Sequence, residues 1–286
     1  AGIETETALL NVDRIKAIAA HVRENFDIKT RRTTSYSHSG QRLRGFNSIL
    51  ATASIPAARA YYNAFTVPQA EPDFPSAKKL KVAIIYSYNP NEAEPDGILG
   101  EESMDPGALD AASRDFLEDA IQDYNEMFGK SFSTYGQGFE NYYKDVSLKM
   151  KNRELDLLIV VNMFLTGFDA TTLNTLWVDK NLRQHGLIQA FSRTNRILNS
   201  VKTYGNIVCY RNLEEETNKA LTLFGNKDAA GIVLLKPYGE YYSEYADKTH
   251  ELLDRFPLGT MVQGEENQKQ FVGLFGAILR LINILD

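Results

Sequence analysis

A single cysteine, Cys209, among 286 residues excludes an internal disulfide and any multi-thiolate metal site, and it suits a reducing compartment. The four histidines, His21, His38, His185 and His250, stand apart from cysteine and from carboxylate clusters at ligand spacing, so no structural metal is expected. No apolar run reaches the roughly 18 to 20 residues of a membrane-spanning helix, and the first residues lack the basic-then-apolar pattern of a secretory leader. The chain therefore reads as soluble and cytoplasmic, with no membrane partner. Also missing is any G-x-x-x-x-G-K-[ST] loop, and with it the lysine and hydroxyl that hold a triphosphate and its Mg²⁺. No acidic cluster follows a strand in a position to activate water.

What is present is an ordinary globular composition. Apolar residues make up 43% and aromatic residues 11%, enough for one large core or two smaller ones. The 31 Lys and Arg against 37 Asp and Glu give a net charge of −6, which argues against a strongly basic protein that coats nucleic acid but leaves local basic patches open. The chain begins at Ala1 and ends on a strongly apolar segment, so it reads as part of something longer.

Apolar periodicity predicts a helix over residues 11–26 with Val12, Ile15, Ile18, Ala19, Val22 and Phe26 on one face and Asn11 as its cap. Residues 29–44 carry Lys29, Arg31, Arg32, Arg42 and Arg44 with Tyr36 and His38 interleaved and no acid, a polar basic loop that is either solvated or in contact with phosphate. A short apolar strand over 46–53 leads through Ser54 and Pro56 into an alanine-rich helix as far as Phe65. Further strands are predicted over 80–88, 155–161, 174–179 and 204–210, and helices over 109–128 and 139–150. Between them residues 89–107 form an acidic, proline-containing segment that reads as a surface excursion. Strands buried on both faces and alternating with helices imply an α/β domain, a parallel sheet covered by helices, over residues 1–230. From 231 to 286 the pattern becomes a helical annex, with Tyr238, Tyr241, Tyr242 and Tyr245 assigned to its core and an apolar helix face from Phe271 to Leu285.

The densest chemistry lies over residues 156–196. Gly167, Phe168 and Asp169 follow a buried strand at the carboxyl end, where open parallel sheets place ligands. Glycine permits positive φ there, and the aspartate accepts hydrogen bonds either from a ribose hydroxyl or, in the plainer reading, within an Asx turn or cap. Arg193 and Arg196 are three apart on a predicted helix and so share a face, either as a solvated basic face or as guanidinium groups reaching a γ-phosphate. Gln189 precedes them. Thr52 and Ser54, at the end of the first strand, are placed either for a phosphate contact or for helix capping.

The wording LLIVVNMFLTGFDA followed by LIQAFSRTNRI resembles motifs V and VI of superfamily 2 helicases, and in particular the R (motor and restriction) subunit of type I restriction-modification enzymes. The resemblance covers most of residues 11–225 as the second RecA-like motor domain, and more loosely the annex as the start of a helical domain. It implies that Arg193 and Arg196 are the motif VI arginines acting on ATP and Mg²⁺ held at an interface with a first RecA-like domain. Gln189 then opens motif VI, and Gly167 and Asp169 of motif V contact nucleotide or the network that couples it to DNA. Thr166 stands where many members have arginine, which implies a hydroxyl contact to DNA phosphate; Ser192 replaces a common glycine and Asn162 a common aspartate.

The function so implied is ATP-dependent translocation along double-stranded DNA by a type I restriction endonuclease, with modification and specificity subunits as partners. The phosphate loop and the nuclease residues would lie outside this chain, which alone is expected neither to hydrolyse ATP nor to cut DNA. The alternatives are another superfamily 2 translocase, or a non-catalytic RecA-like scaffold whose arginines are only surface charges.

Overall fold

The computed structural model describes residues 8–87, 109–198, 201–224 and 238–285. The acidic segment 89–107 lies outside them. The chain divides into two units, Ala1–Ala230 and Gly231–Asp286.

The first unit opens with α1, Val12–Lys29, whose first turn is held by the Asn11 side chain accepting from the backbone N–H groups of Asp13 and Arg14. Ile15, Ile18, Ala19, Val22 and Phe26 are buried as their spacing dictates; Val12, at the first helical position, is exposed instead. Residues 29–44 are not the loop that their polarity suggests. They form an antiparallel hairpin of β1, Ser35–His38, and β2, Gln41–Arg44. The loop between them is two residues, Ser39 at φ 50° and Gly40 at φ 79°. Positive φ at both central positions is the turn that matches strand twist, and glycine makes it cheap.

Next come β3, Asn47–Thr52; α2, Ile55–Ala70; β4, Val82–Ile85; α3, Ala111–Phe128; and α4, Gly138–Lys151. Then follow β5, Leu157–Val160; β6, Leu173–Asp179; α5, Gln184–Ser192; β7, Asn206–Cys209; and α6, Glu214–Phe224. Helix α2 runs past Phe65 despite Pro68. Proline removes the N–H that would bond the carbonyl of Ala64, and the Arg23 guanidinium donates to that carbonyl instead.

Strands β3 to β7 form one parallel sheet in the order β4-β5-β3-β6-β7. Every residue of β3, β4, β5 and β6 is buried, so helices cover both faces. Each of the Leu157, Leu158, Ile159 and Val160 side chains is fully enclosed, a burial worth about 1.5–3 kcal/mol per side chain. Trp177 is buried at the centre of β6.

In the second unit, α7, Tyr238–Arg255, and α8, Glu265–Leu285, are joined by an edge-to-face contact of Phe256 on Phe271 and by Arg255 donating to Gln270. Tyr238 and Tyr242 stack on one another at the surface rather than filling a core, and α7 buries none of its residues. A strongly polar helix with one short aromatic stripe has too little apolar area to enclose.

Candidate functional site

The connection from β5 to β6, residues 161–172, leaves the carboxyl edge of the sheet and returns to its amino edge. There the Thr172 carbonyl accepts from Asn47 N–H, the first residue of β3. Gly167, at φ 67°, is the centre of a three-residue turn closed by Phe168 N–H donating to the Thr166 carbonyl at 2.7 Å. Phe168 is thereby turned inward against Phe164, at 4.8 Å between ring centroids, and lies beneath Lys151 at the end of α4. Asp169 is left facing out. The Gly-Phe-Asp turn thus lies toward the amino edge, not at the carboxyl end where the sequence order places it.

Helix α5 stops at Ser192, so Arg193 and Arg196 do not share a helical face. The carbonyls of its last turn are taken by side chains: Ser192 Oγ donates to Gln189 O at 2.7 Å, Thr194 Oγ1 to Phe191 O at 3.2 Å and Arg193 Nε to Gln189 O at 2.9 Å. Side-chain bonds of this kind compete with the helix and end it. Arg193 also donates from Nη1 to Phe168 O at 2.7 Å and from Nη2 to Ser192 Oγ at 3.1 Å, tying the turn to the helix end. Burial pulls its pKa below the usual arginine value, with Asp169 opposing and Arg196 adding to that fall; a guanidinium so placed remains charged. Among the described residues Arg196 is bound only through Nε to Asp169 Oδ1 at 2.8 Å, with side chains 60% and 53% exposed.

Phe168, Asp169, Ser192, Arg193, Asn195 and Arg196 line a cleft of about 250 Å³. Gln189 lies one turn back on α5, half-buried, with Oε1 enclosed and no protein partner among the described residues. Beneath the turn is a fully buried lysine that sequence reasoning missed. Lys202 Nζ donates to the carbonyls of Thr171 and Leu173, and burial lowers its pKa to about 8 against the raising effect of Asp169.

Thr52 and Ser54 belong to the opposite edge. Thr52 is fully buried and its hydroxyl donates to Val160 O at 2.9 Å, while Ser54 Oγ accepts from Ala57 N–H as the cap of α2. At this edge the outgoing connections of β3 and β6 run in opposite directions, which marks the crevice where open α/β sheets hold ligands. Here it is closed. Asp179, the last residue of β6, accepts from both Arg14 Nη groups at 2.8 and 2.6 Å, from Tyr61 Oη at 2.7 Å and from Arg211 Nε at 2.6 Å. Burial raises its pKa, but the bonds from Arg14, Tyr61 and Arg211 together outweigh it and hold the carboxyl below its usual range. Nearby, Lys180 Nζ bonds Val161 O and the Asn162 side chain, with its pKa lowered by burial to about 8. The structure therefore brings Asp169, Arg193 and Arg196 together at one cleft, leaves Thr166 and Gly167 in the turn behind it and Gln189 one turn back on α5, and sets Thr52 and Ser54 apart from them.

A parallel five-stranded sheet flanked by helices, with an arginine-bearing segment docked on the turn after its second strand in space, defines a RecA-like α/β domain. Residues 44–212 match the family model of type I restriction enzyme subunit R domain 3, and residues 233–286 match that of the subunit R C terminal. The chain belongs to the R subunits of type I restriction enzymes. It is 37% identical over 285 residues to the endonuclease subunit of a type I restriction enzyme of Staphylococcus aureus strain COL, and 39% identical over 292 residues to one of Staphylococcus saprophyticus. Each alignment covers 98% of this chain but 28% of the relative. Similarity to the HindI endonuclease subunit of Haemophilus influenzae is 30% over 132 residues, 46% of this chain and 12% of that protein. No helix among the described residues is long and apolar enough to cross a membrane.

Proposed function

We propose that this chain is the second RecA-like half of an ATP-driven motor that moves a type I restriction endonuclease along double-stranded DNA. The observation that carries the reading is the exposed Arg196–Asp169 pair at the mouth of the cleft, on a turn that Arg193 locks to the helix end. At about 250 Å³ the cleft is smaller than the roughly 300–1,000 Å³ of a complete small-molecule site. Its residues fit the phosphate end of a nucleotide and not the whole, which suits a site shared with a first RecA-like domain elsewhere in the subunit.

Bound ATP with its Mg²⁺ supplies the γ-phosphoryl group whose transfer to water powers movement. This chain's part is electrostatic. Arg196 exchanges Asp169 for phosphate oxygens, which costs little because an exposed pair is worth about 0–1 kcal/mol. Arg193, with its donors committed to Phe168, Gln189 and Ser192, fixes where Arg196 can reach. Gln189, whose backbone carbonyl accepts from Arg193 Nε, supports that placement. The modification and specificity subunits are the natural partners of such a motor, supplying site recognition that a phosphate-tracking domain lacks.

The test is DNA-stimulated ATP turnover by the complete subunit in its complex, comparing Arg196→Ala with wild type. Loss of one arginine that stabilises transition-state charge lowers turnover by roughly 10³ to 10⁵; unchanged turnover favours a scaffold.

A further inference from the structure

The β1–β2 hairpin has two unlike faces, and the chemistry of the outer one has no use inside this fold. In antiparallel register Ser35 lies opposite Arg44, Tyr36 opposite Leu43, Ser37 opposite Arg42 and His38 opposite Gln41. Opposed residues share a face, and faces alternate along each strand. One face holds Tyr36 and Leu43: Tyr36 stacks on Phe46 at 4.8 Å and donates from its hydroxyl to Gly45 O at 2.9 Å. This face anchors the hairpin. The other holds Ser35, Ser37, Arg42 and Arg44, all exposed.

Neither Arg42 nor Arg44 makes a hydrogen bond or ion pair among the described residues, in contrast with the arginines before them. Arg31 is held by Val201 O and the Tyr204 ring, and Arg32 by Lys79 O and Asp27. No Asp or Glu occurs in the sequence between Asp27 and Glu71, so the ribbon has no carboxylate of its own, in a chain whose net charge is −6. Two guanidinium groups one pleat apart, about 6.7 Å along the strand, each beside a serine hydroxyl, form a row of donors with no carboxylate on the ribbon to take them. Rows of this kind bind the phosphates of a polynucleotide and carry no base preference.

The ribbon also adjoins the candidate half-site. His38 Nε2 lies 3.2 Å from Thr171 Oγ1, two residues beyond Asp169, and the carbonyl of Thr171 is held by Lys202.

Resting on the motor reading, we infer that the outer face of this hairpin is a contact surface for the sugar–phosphate backbone of duplex DNA, through Arg42 and Arg44 with Ser35 and Ser37. It is distinct from Thr52 and Ser54, which lie at the other edge of the sheet and are engaged within the fold. The contact is independent of sequence.

The experiment is binding of a fluorescein-labelled duplex that lacks a recognition site, titrated by anisotropy over a range of salt concentrations. The complete subunit is used as wild type, Arg42→Ala/Arg44→Ala and Arg42→Lys/Arg44→Lys. The alanine pair weakens binding by about tenfold or more and flattens the slope of log K against log salt by about two. The lysine pair restores most of both, and the thermal midpoint stays at the wild-type value because the removed side chains have no partners among the described residues. Wild-type affinity and slope in the alanine variant overturn the inference while leaving the motor reading standing. An alanine variant that binds DNA normally but no longer joins a partner subunit also overturns it, marking the ribbon as a protein contact. If wild-type subunit shows no salt-dependent DNA binding, the motor reading and this inference both fail.

Discussion

Asp179 and Asp169 both accept hydrogen bonds from arginine, but at opposite edges of one sheet and at opposite extremes of burial. The Asp179 side chain is 1% exposed and held by Arg14, Arg211 and Tyr61 together. That of Asp169 is 53% exposed and, among the described residues, holds Arg196 alone. Coulomb attraction between the same groups is several times stronger away from water, and breaking a buried pair leaves a charge with no solvent to take it. The Asp179 cluster is therefore a fixed strut that joins α1, α2, β6 and the segment after β7. The Asp169 pair is cheap to open, so it is the one that can be exchanged for a ligand anion. The same ion pair in chemical terms serves architecture in one place and is available for function in the other.

The sharpest way to break this comparison is at the strut. Asp179→Ala strands Arg14 and Arg211 near the core and should cost about 3–5 kcal/mol. Unfolding in denaturant, followed on Trp177, the one tryptophan of the chain, reads the loss directly; a change below about 1 kcal/mol would show that the cluster is not structural. Because the folded pKa of Asp179 lies below the ordinary aspartate value of 3.8, its contribution is present above that pH and fades as pH falls further.

Lys202 gives a second test, with the same sign but in an alkaline window. Burial brings its pKa from 10.5 to about 8. Between those values the unfolded chain still holds a proton that the folded chain has released, so stability rises with pH across that window. Lys202→Met should reduce the rise by about half, Lys180 with the same lowered pKa supplying the remainder, measured as the difference in midpoint between pH 8 and pH 10. The smallest effect is expected at the exposed pair: Asp169→Ala should change stability by no more than about 1 kcal/mol, and a larger loss would erase the distinction drawn between the two carboxylates.

Much of this architecture is legible in the sequence. Apolar runs such as LLIVV and LNTLWVD can be satisfied only by burial on both faces, and the caps Asn11 and Ser54 announce their helices. The hairpin is not legible, because Tyr36 and Leu43 are its only large apolar inner residues and Ser-Arg alternation looks like solvated loop. The end of α5 is hidden for a different reason. QAFSRTNRI contains neither glycine nor proline, and the helix stops because Ser192, Arg193 and Thr194 turn back to bond its carbonyls. The meeting of Asp169 with Arg193 and Arg196 follows from order along the chain. The burial of Asp179 and Lys202 does not, since the partner of Asp179 at Arg14 is 165 residues away and nothing local marks either residue as enclosed.

The most direct measurement pairs two readouts on Arg196→Ala: unfolding free energy, and DNA-stimulated ATP turnover of the complete subunit in its complex. The account predicts stability within about 1 kcal/mol of wild type together with turnover lower by roughly 10³ or more. Wild-type turnover in a stably folded variant would contradict it, and would leave the exposed arginine as a surface charge on a scaffold.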